Sequence, residues 1–381
     1  MKIGIDIRPL MSSARSGVGQ YSYELLNAVF ALDKTNQYFL FYNSHKDVSQ
    51  NIPQWPQANI QYLKTRWPNK AFNASIKFFS SPKIDRLIKN EGLDYFFSSN
   101  FNFTTLTKET KYILTVHDLS FEFFPQFYSL KQRLWHKAIN PQMQCERADL
   151  ILAPSENTKR DLINFYKINS GKIKVIYPGI SCHSKQSEES LSDKKLELKQ
   201  KYNLPEKFIL FLGTIEPRKN TIGLIEAFER FSSQTPFSNF SLVIAGHKGW
   251  NDTQIYKKFQ SSPYKEKIKF IGSIESDDKV ALYSLATIFV YPSFYEGFGF
   301  PIVEAMAAGT PIITSNRSSL PEVAGSAAYL VNPNRPSELA NAMIEMFKNQ
   351  KLRDHFRSLG LEQVKKFSWE KAAKEFLNIF L

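Results

Sequence analysis

The sequence predicts two doubly wound α/β domains in tandem, and three observations carry that expectation. The chain opens on a short apolar run, Lys2-Ile3-Gly4-Ile5-Asp6-Ile7. It is followed by a glycine-containing loop, Ser16-Gly17-Val18-Gly19-Gln20, and then by Tyr21, Leu25, Ala28, Val29 and Leu32 on one face at helical spacing. The same strand, turn and helix recur halfway along. There the run Phe208-Ile209-Leu210-Phe211-Leu212-Gly213 leads through Thr214-Ile215-Glu216-Pro217-Arg218-Lys219-Asn220 to a helix carrying Leu224, Ala227, Phe228 and Phe231. Between and after these openings, strand-like runs at 37–42, 94–98, 111–116 and 149–153, and again at 240–245, 267–271, 287–291, 311–314 and 328–331, alternate with helical stretches. That order argues for mostly parallel sheets. A length of 381 residues suits two domains of ~100–200 residues each.

The first domain is assigned to 1–180 and the second to 181–367, with the polar stretch 181–203 read as a linker plus the first helix of the second domain. A last helix starts at Ser368, a good N-cap, and carries Trp369, Ala372, Phe376 and Ile379; it is expected to pack back on the first domain. Ligands of open α/β sheets bind beyond the carboxyl ends of the strands, so the expected site is a cleft across which the two domains face each other.

Composition excludes several classes. With 43% hydrophobic and 22% charged residues, 16 Gly and 19 Pro, the chain is neither disordered nor collagen-like. No apolar run approaches the ~20 residues of a spanning helix. An acid, Asp6, stands where a signal peptide would need its apolar centre. Cys145 and Cys182 are the only cysteines and form no CxxC pair, so a reducing, cytoplasmic compartment is expected. The net charge of +13 is uneven: residues 1–180 hold 23 Lys/Arg against 14 Asp/Glu, the rest 26 against 22. A basic first half suits phosphorylated ligands, an anionic membrane or nucleic acid.

The strongest motif is Tyr295-Glu296-Gly297-Phe298-Gly299-Phe300-Pro301-Ile302-Val303-Glu304. Its glycines allow close backbone approach to a ligand, and Pro301 is placed to open a helix whose amino end would face an anion, with Glu304 in the first turn. Glu296 and Glu304, with seven residues between them that include Gly-Phe-Gly-x-Pro, resemble the signature of retaining glycosyltransferases of family 4 (group 1), which have the GT-B fold. Asp6-Ile7-Arg8-Pro9-Leu10, Ser16-Gly17-Val18-Gly19-Gln20-Tyr21, Val116-His117-Asp118-Leu119, Ala153-Pro154-Ser155-Glu156, Tyr177-Pro178-Gly179-Ile180 and Glu216-Pro217-Arg218-Lys219-Asn220 resemble further blocks of that family, in its order.

The resemblance implies a division of labour, with 1–180 binding the acceptor and 181–367 the nucleotide-sugar donor. Arg218 and Lys219 would bind the donor diphosphate, where fixed cations lower the barrier to departure of a charged leaving group. The family often has an Arg after the glycine at 213; here Thr214 stands there, so Arg218 would serve in its stead. Gly17 and Gly19 would approach the donor phosphate and His117 the transferring sugar. Glu296 would hold sugar hydroxyls, with Gly297, Phe298 and Gly299 giving backbone contacts. Glu304 would hold the ribose, and Gly272-Ser273-Ile274 would flank the base. No Asp-x-Asp and no histidine pair at ligand spacing occurs, so no metal or other cofactor is expected, the nucleotide sugar being a substrate. No nucleophile paired with a base stands out; the family is thought to react on the donor's front face, the leaving phosphate accepting the acceptor's proton.

Lys64, Arg66, Lys70, Lys77, Lys83, Arg86 and Lys89 lie within 26 residues against a single Asp85, interleaved with Trp67, Phe72, Phe78 and Phe79. This pattern suits an anionic membrane surface and, with it, a glycan or lipid-linked acceptor at the inner face of the plasma membrane; no nucleic-acid partner is expected. The blocks look most like bacterial mannosyltransferases of polysaccharide and lipopolysaccharide synthesis, which points to GDP-mannose. The alternatives are a UDP-glucose or UDP-GlcNAc transferase of the same family, a 2-epimerase of the same twin-domain fold, and a non-catalytic membrane scaffold.

Overall fold

The computed structural model describes every residue except Ala14, 88–91, 181–187 and 235–238, and no side chain of 188–190. Lys89, Cys182 and the linker expected at the start of 181–203 therefore lie outside the described residues. The chain divides into two compact units, one of Met1–Leu119, Lys131–Gly179 and Ser368–Leu381, the other of Ser120–Leu130 and Ile180–Phe367. The segment Ser120–Leu130 thus departs from the assignment of 1–180 to one domain. Its aromatic rings explain why: Phe123 and Phe124 pack on Tyr295, Phe127 stacks on Phe294, and the Phe127 carbonyl accepts from Trp250 Nε1 at 2.7 Å.

The first unit holds a seven-stranded sheet in the order β3-β2-β1-β4-β5-β6-β7, formed by β1 (Lys2–Asp6), β2 (Gln37–Asn43), β3 (Ile60–Thr65), β4 (Tyr95–Ser98), β5 (Lys111–Thr115), β6 (Leu150–Ala153) and β7 (Ile173–Val175). Every pairing is parallel. Ile3 and Ile5 are fully buried, the mark of a central parallel strand covered on both faces. β3 and β7 escape sequence reading because they are edge strands: β3 has one exposed position, none fully buried and a mixed composition, and β7 is three residues long with a lysine at its centre. Helices α1 (Gly17–Leu32), α2 (Asn69–Phe79) and α3 (Leu130–Ile139) flank the sheet sequence. Ser16 caps α1 by accepting from Gly19 N at 3.2 Å, so Gly17 and Gly19 belong to the first turn of a helix and not to a free loop.

The second unit holds a six-stranded parallel sheet in the order β10-β9-β8-β11-β12-β13, with β8 (Phe208–Leu212), β9 (Ser241–Ala245), β10 (Ile268–Gly272), β11 (Ile288–Tyr291), β12 (Ile312–Ser315) and β13 (Ala328–Val331). All five residues of β8 are buried. Helices α4 (Thr221–Ser232), α5 (Lys279–Leu285) and α6 (Phe300–Ala307) matter below. In the first unit, α7 (Trp369–Leu377), capped by Ser368, lies against α1 and the sheet: Trp369 meets Tyr21 at 5.7 Å between ring centroids and Phe376 meets Phe97 at 4.8 Å. Gly179 permits that crossing, since a Cβ there would stand 2.0 Å from Trp369 N. The two sheets, each with helices around it, make a two-domain α/β molecule, as the sequence predicts.

Candidate active site

In the second sheet the strand order reverses between β8 and β11, the place where open α/β sheets bind ligands. The turn Pro217–Lys219 leaves β8, and Tyr291 ends β11. Lys219 is only 7% exposed; its Nζ donates to the Tyr291 hydroxyl at 2.7 Å and to Glu296 Oε1 at 2.6 Å. The Tyr291 hydroxyl in turn donates to the same Oε1 at 2.9 Å. Arg218 donates from Nη1 to the Tyr295 carbonyl at 2.8 Å and to Glu296 Oε2 at 3.0 Å, and from Nη2 to Glu216 Oε1 at 2.7 Å. Two cations face two carboxylates, and nearly all of it is buried.

Burial by itself would raise the Glu296 pKa, but the Arg218 and Lys219 charges outweigh it and hold that carboxyl at about 2. Lys219 moves down from the ordinary lysine range, first through burial and then through the neighbouring Arg218. Burial and the Glu296 charge push Tyr291 well above 10, so it stays a donor.

Asn220 fixes this turn. It sits in the left-handed region at φ 58°, accepts from Gly223 N at 3.3 Å to cap α4, and donates to the carbonyls of Pro292 at 3.2 Å and Pro333 at 2.7 Å. The facing loop is held by Ser318, whose Oγ accepts from Glu296 N at 2.8 Å. Ser319 assists, its Oγ donating to the carbonyls of Glu296 at 2.9 Å and Phe298 at 3.0 Å. Gly299 caps α6 at φ 99°, where a Cβ would stand 2.7 Å from Leu320 Cδ2. Phe298 is buried against Phe300 and Phe367, so its side chain belongs to the core.

The sequence placed Glu304 in the first turn of its helix, yet α6 begins at Phe300 and Glu304 is its fifth residue. Compensation of the helix dipole therefore does not explain it. Its partners are Lys279 Nζ and the Tyr283 hydroxyl of α5, each at 2.8 Å. Gly272 ends β10 at φ 75° with open space beside it, and Ser273 and Ile274 follow, the first exposed and the second half-buried.

In the first unit, the half-buried His117 follows β5. Its Nε2 lies 2.8 Å from the Ser99 carbonyl, which can only accept, so Nε2 carries the proton. Burial lowers the His117 pKa below 6.5, against the opposing pull of that carbonyl, and keeps the ring neutral at pH 7. Its edge meets Tyr21 of α1 at 4.7 Å between centroids. A Cβ at Gly19 would stand 3.0 Å from the Pro9 carbonyl, whereas Gly17 faces open space.

Arg218, Lys219 and Glu296 are thus brought into direct contact, Glu304 has its own partners, and His117 lies near the start of α1. Sequence reasoning missed Tyr291, Glu216, Ser318, Ser319, Lys279 and Tyr283. A tyrosine ending a buried strand five residues before Glu296 was a usable signal; Lys279 and Tyr283 have none locally.

Two family models cover most of the chain: Glycosyltransferase Family 4 over residues 15–184 and Glycosyl transferases group 1 over residues 193–363. The O-antigen chain mannosyltransferase B of Escherichia coli is 27% identical over 372 residues, 96% of each chain. Among solved structures, sucrose-phosphate synthase from Thermosynechococcus elongatus superposes with a TM-score of 0.75 at 20% identity, covering 100% of this chain and 98% of that one. Anabaena HepE, in complex with UDP and glucose, does so with a TM-score of 0.74 at 16% identity, covering 100% and 99%. With models matched across both units and the Escherichia coli relative aligned over 96% of each chain, the chain belongs to the family 4, group 1 glycosyltransferases and has their GT-B fold.

Proposed function

We propose that this glycosyltransferase moves mannose from GDP-mannose, with retention and without a metal ion, to a glycan or lipid-linked acceptor in bacterial surface polysaccharide synthesis. The observation that carries the reading is the buried Arg218–Lys219–Glu296 cluster at the strand-order reversal of the second sheet. Arg218 and Lys219 bind the diphosphate and stabilise the charge that grows on it as the bond from sugar C1 to phosphate oxygen breaks. The acceptor hydroxyl forms its bond to C1 on the same face, and its proton passes to the departing phosphate oxygen. Glu296 accepts from sugar hydroxyls, which lets a carboxylate stand beside a diphosphate. Gly297, Phe298 and Gly299 add backbone contacts, Glu304 accepts from the ribose hydroxyls, and Gly272, Ser273 and Ile274 flank the base. Gly17 offers a first-turn amide to phosphate, Gly19, whose own N–H is held by Ser16 Oγ, allows close backbone approach beside it, and His117 steadies the transferring sugar.

A second reading, a UDP-sugar donor, is favoured by the complex of Anabaena HepE with UDP and glucose. Calorimetric titration with GDP, UDP and ADP, each with and without EDTA, separates the two. GDP alone, unaffected by EDTA, is the expected ligand. UDP alone selects the second reading, sensitivity to EDTA removes metal independence, and failure to release nucleotide from any donor leaves a binding scaffold.

We also propose that α2 and the residues around it dock on an anionic membrane. No helix among the described residues is long and apolar enough to cross one. Phe78 and Phe79 are 72% and 79% exposed and Trp67 is 45% exposed, beside exposed Arg66, Lys70 and Lys77. Phe72 is a core residue, and Asp85 is buried, accepting from Thr107 N at 3.1 Å and Thr110 Oγ1 at 3.0 Å. The lone acid of the basic segment therefore does not offset its surface charge.

A further inference from the structure

The proposed transfer leaves Ser120–Leu130 without a role, although this stretch follows Leu119 of the first unit in the chain and belongs by its packing to the second. Five of its eleven residues are aromatic. Three of them cover two consecutive residues of the loop after β11. Phe127 stacks on Phe294 at 5.7 Å between ring centroids, and Phe123 and Phe124 meet Tyr295 at 5.7 and 5.9 Å. Tyr295 is buried beneath them.

The segment is closed on itself and then fastened. Ser120 Oγ and the Tyr128 hydroxyl share a hydrogen bond of 2.5 Å, and Phe124 stacks on Phe127. The Phe127 carbonyl accepts from Trp250 Nε1 at 2.7 Å and from Asn251 Nδ2 at 3.2 Å, while Tyr128 stacks on the Trp250 indole. A carbonyl oxygen has two lone pairs, and both are used here. The backbone that carries the Phe127 ring is thereby tied down over Phe294.

The two covered residues are those that hold Arg218 at both ends. Phe294 N donates to the Arg218 carbonyl at 2.9 Å, and the Tyr295 carbonyl accepts from Arg218 Nη1 at 2.8 Å. Glu296, the partner of both Arg218 and Lys219, is the next residue in the chain. A shift of the Phe294–Tyr295 backbone therefore carries Arg218 and Glu296 with it. Where catalysis rests on the placement of charge, a displacement of about 1 Å can cost on the order of 10²-fold in rate.

We propose that Ser120–Leu130 is a positioning segment of the nucleotide site, in which Phe127 acts through Phe294 and Tyr295 to hold Arg218 and Glu296 in place. The segment begins three residues after His117, so one short stretch of chain serves both the residue proposed to steady the sugar and the cations proposed to bind the diphosphate. That the site so held takes a nucleotide sugar rests on the glycosyltransferase reading; that the segment holds the loop does not.

The test uses the whole chain with Phe127→Ala, Phe127→Tyr and Trp250→Phe. The first removes the ring and the second keeps it. The third keeps a ring against Tyr128 and removes the N–H that fastens the Phe127 carbonyl. Hydrogen exchange is read at the Phe294 amide and, as a control, along β8. In Phe127→Ala, exchange at Phe294 should quicken about tenfold while β8 exchanges as in the wild type. Titration with GDP and UDP should show about tenfold weaker binding of whichever the wild type takes. Turnover of the matching donor, GDP-mannose or UDP-glucose, should show KM raised and kcat lowered, each about tenfold. A merely part-unfolded variant would lose kcat with KM unchanged. Phe127→Tyr should stay within about twofold of wild type on every reading, and Trp250→Phe should fall between the other two. Unchanged exchange at Phe294, unchanged nucleotide binding and KM in folded Phe127→Ala, or a loss that Phe127→Tyr does not restore would each overturn the proposal. If Phe127→Ala fails to fold, Trp250→Phe decides by the same readings. A wild type that binds neither nucleotide sinks the donor reading, and exchange at Phe294 then decides the segment by itself.

Discussion

Replacing Lys219 by Met removes one charge from the buried cluster and keeps the stem that fills the space. Glu296 then loses its 2.6 Å partner and retains Arg218 at 3.0 Å and the Tyr291 hydroxyl at 2.9 Å. The descent of the Glu296 carboxyl from 4.5 to about 2 corresponds to roughly 3 kcal/mol, shared between the two cations. A hydrogen bond to a charged group contributes ~1.5–3 kcal/mol, and breaking a buried pair from one side costs ~3–5 kcal/mol. A loss of about 2–3 kcal/mol at pH 7 is therefore expected in urea unfolding. The depressed carboxyl contributes stability above pH 4.5 that is lost as pH falls towards 2. The gap between wild type and Lys219→Met should accordingly narrow in acid. Adding Glu296→Gln should recover about 1 kcal/mol or more, since Arg218 alone then no longer has two buried carboxylates to balance. The single variant should also bind GDP ~10–100-fold more weakly, the worth of one charged contact. A Lys219→Met protein within ~0.5 kcal/mol of wild type at pH 7, or a gap that widens in acid, would refute the argument that Glu296 depends on Lys219.

The remaining expectations are narrower. Gly246→Ala should unfold or strongly destabilise the second unit, because a Cβ at φ 137° would stand 1.9 Å from the Gly213 carbonyl, and urea titration reads this directly. Because His117 is neutral with its pKa below 6.5, protonating it opposes folding. Its contribution to stability is complete above 6.5 and declines as pH falls through its lowered value, so any acid limb in donor turnover that His117→Gln abolishes should lie below 6.5. Changing Lys70 and Lys77 to Glu should release the chain from anionic vesicles, at ~1 kcal/mol per cation, without moving the unfolding midpoint, since both are exposed; vesicle binding that survives places the membrane face elsewhere.

The central strands were legible because burial on both faces leaves a continuous apolar run: Phe208–Leu212 has no position that could be polar. Edge strands lack that constraint, which is why Ile60–Thr65 could carry Gln61 and Lys64 and pass for a loop. The aromatic segment Ser120–Leu130 misled in the opposite way. Its position in the chain says first unit, while Phe123, Phe124 and Phe127 find their ring partners in the second.

At the site the division is sharper. The glycine-rich motif singled out Glu296 and Glu304, and the resemblance to the family singled out Arg218 and Lys219. What order could not reveal is that here Arg218, Lys219 and Glu296 meet each other, while Glu304 meets Lys279 and Tyr283. Lys219 and Glu296 are brought within 2.6 Å because β8 and β11 are neighbours in the sheet, although 77 residues separate them in the chain. Tyr291 then becomes part of the same unit through its place at the end of β11, and a strand-terminal hydroxyl reads as ordinary core until that neighbour is known. The consequence is electrostatic. With Glu216 and Glu296 already balancing the two cations, a diphosphate gains full attraction only if a carboxylate turns its oxygens to other donors. Under the proposed function, sugar hydroxyls are those donors. A free nucleoside diphosphate should accordingly bind less tightly, relative to the intact nucleotide sugar, than two unpaired cations would predict, and Glu296→Gln should narrow that difference. An unchanged ratio of the two affinities in Glu296→Gln would show that sugar and diphosphate are recognised independently.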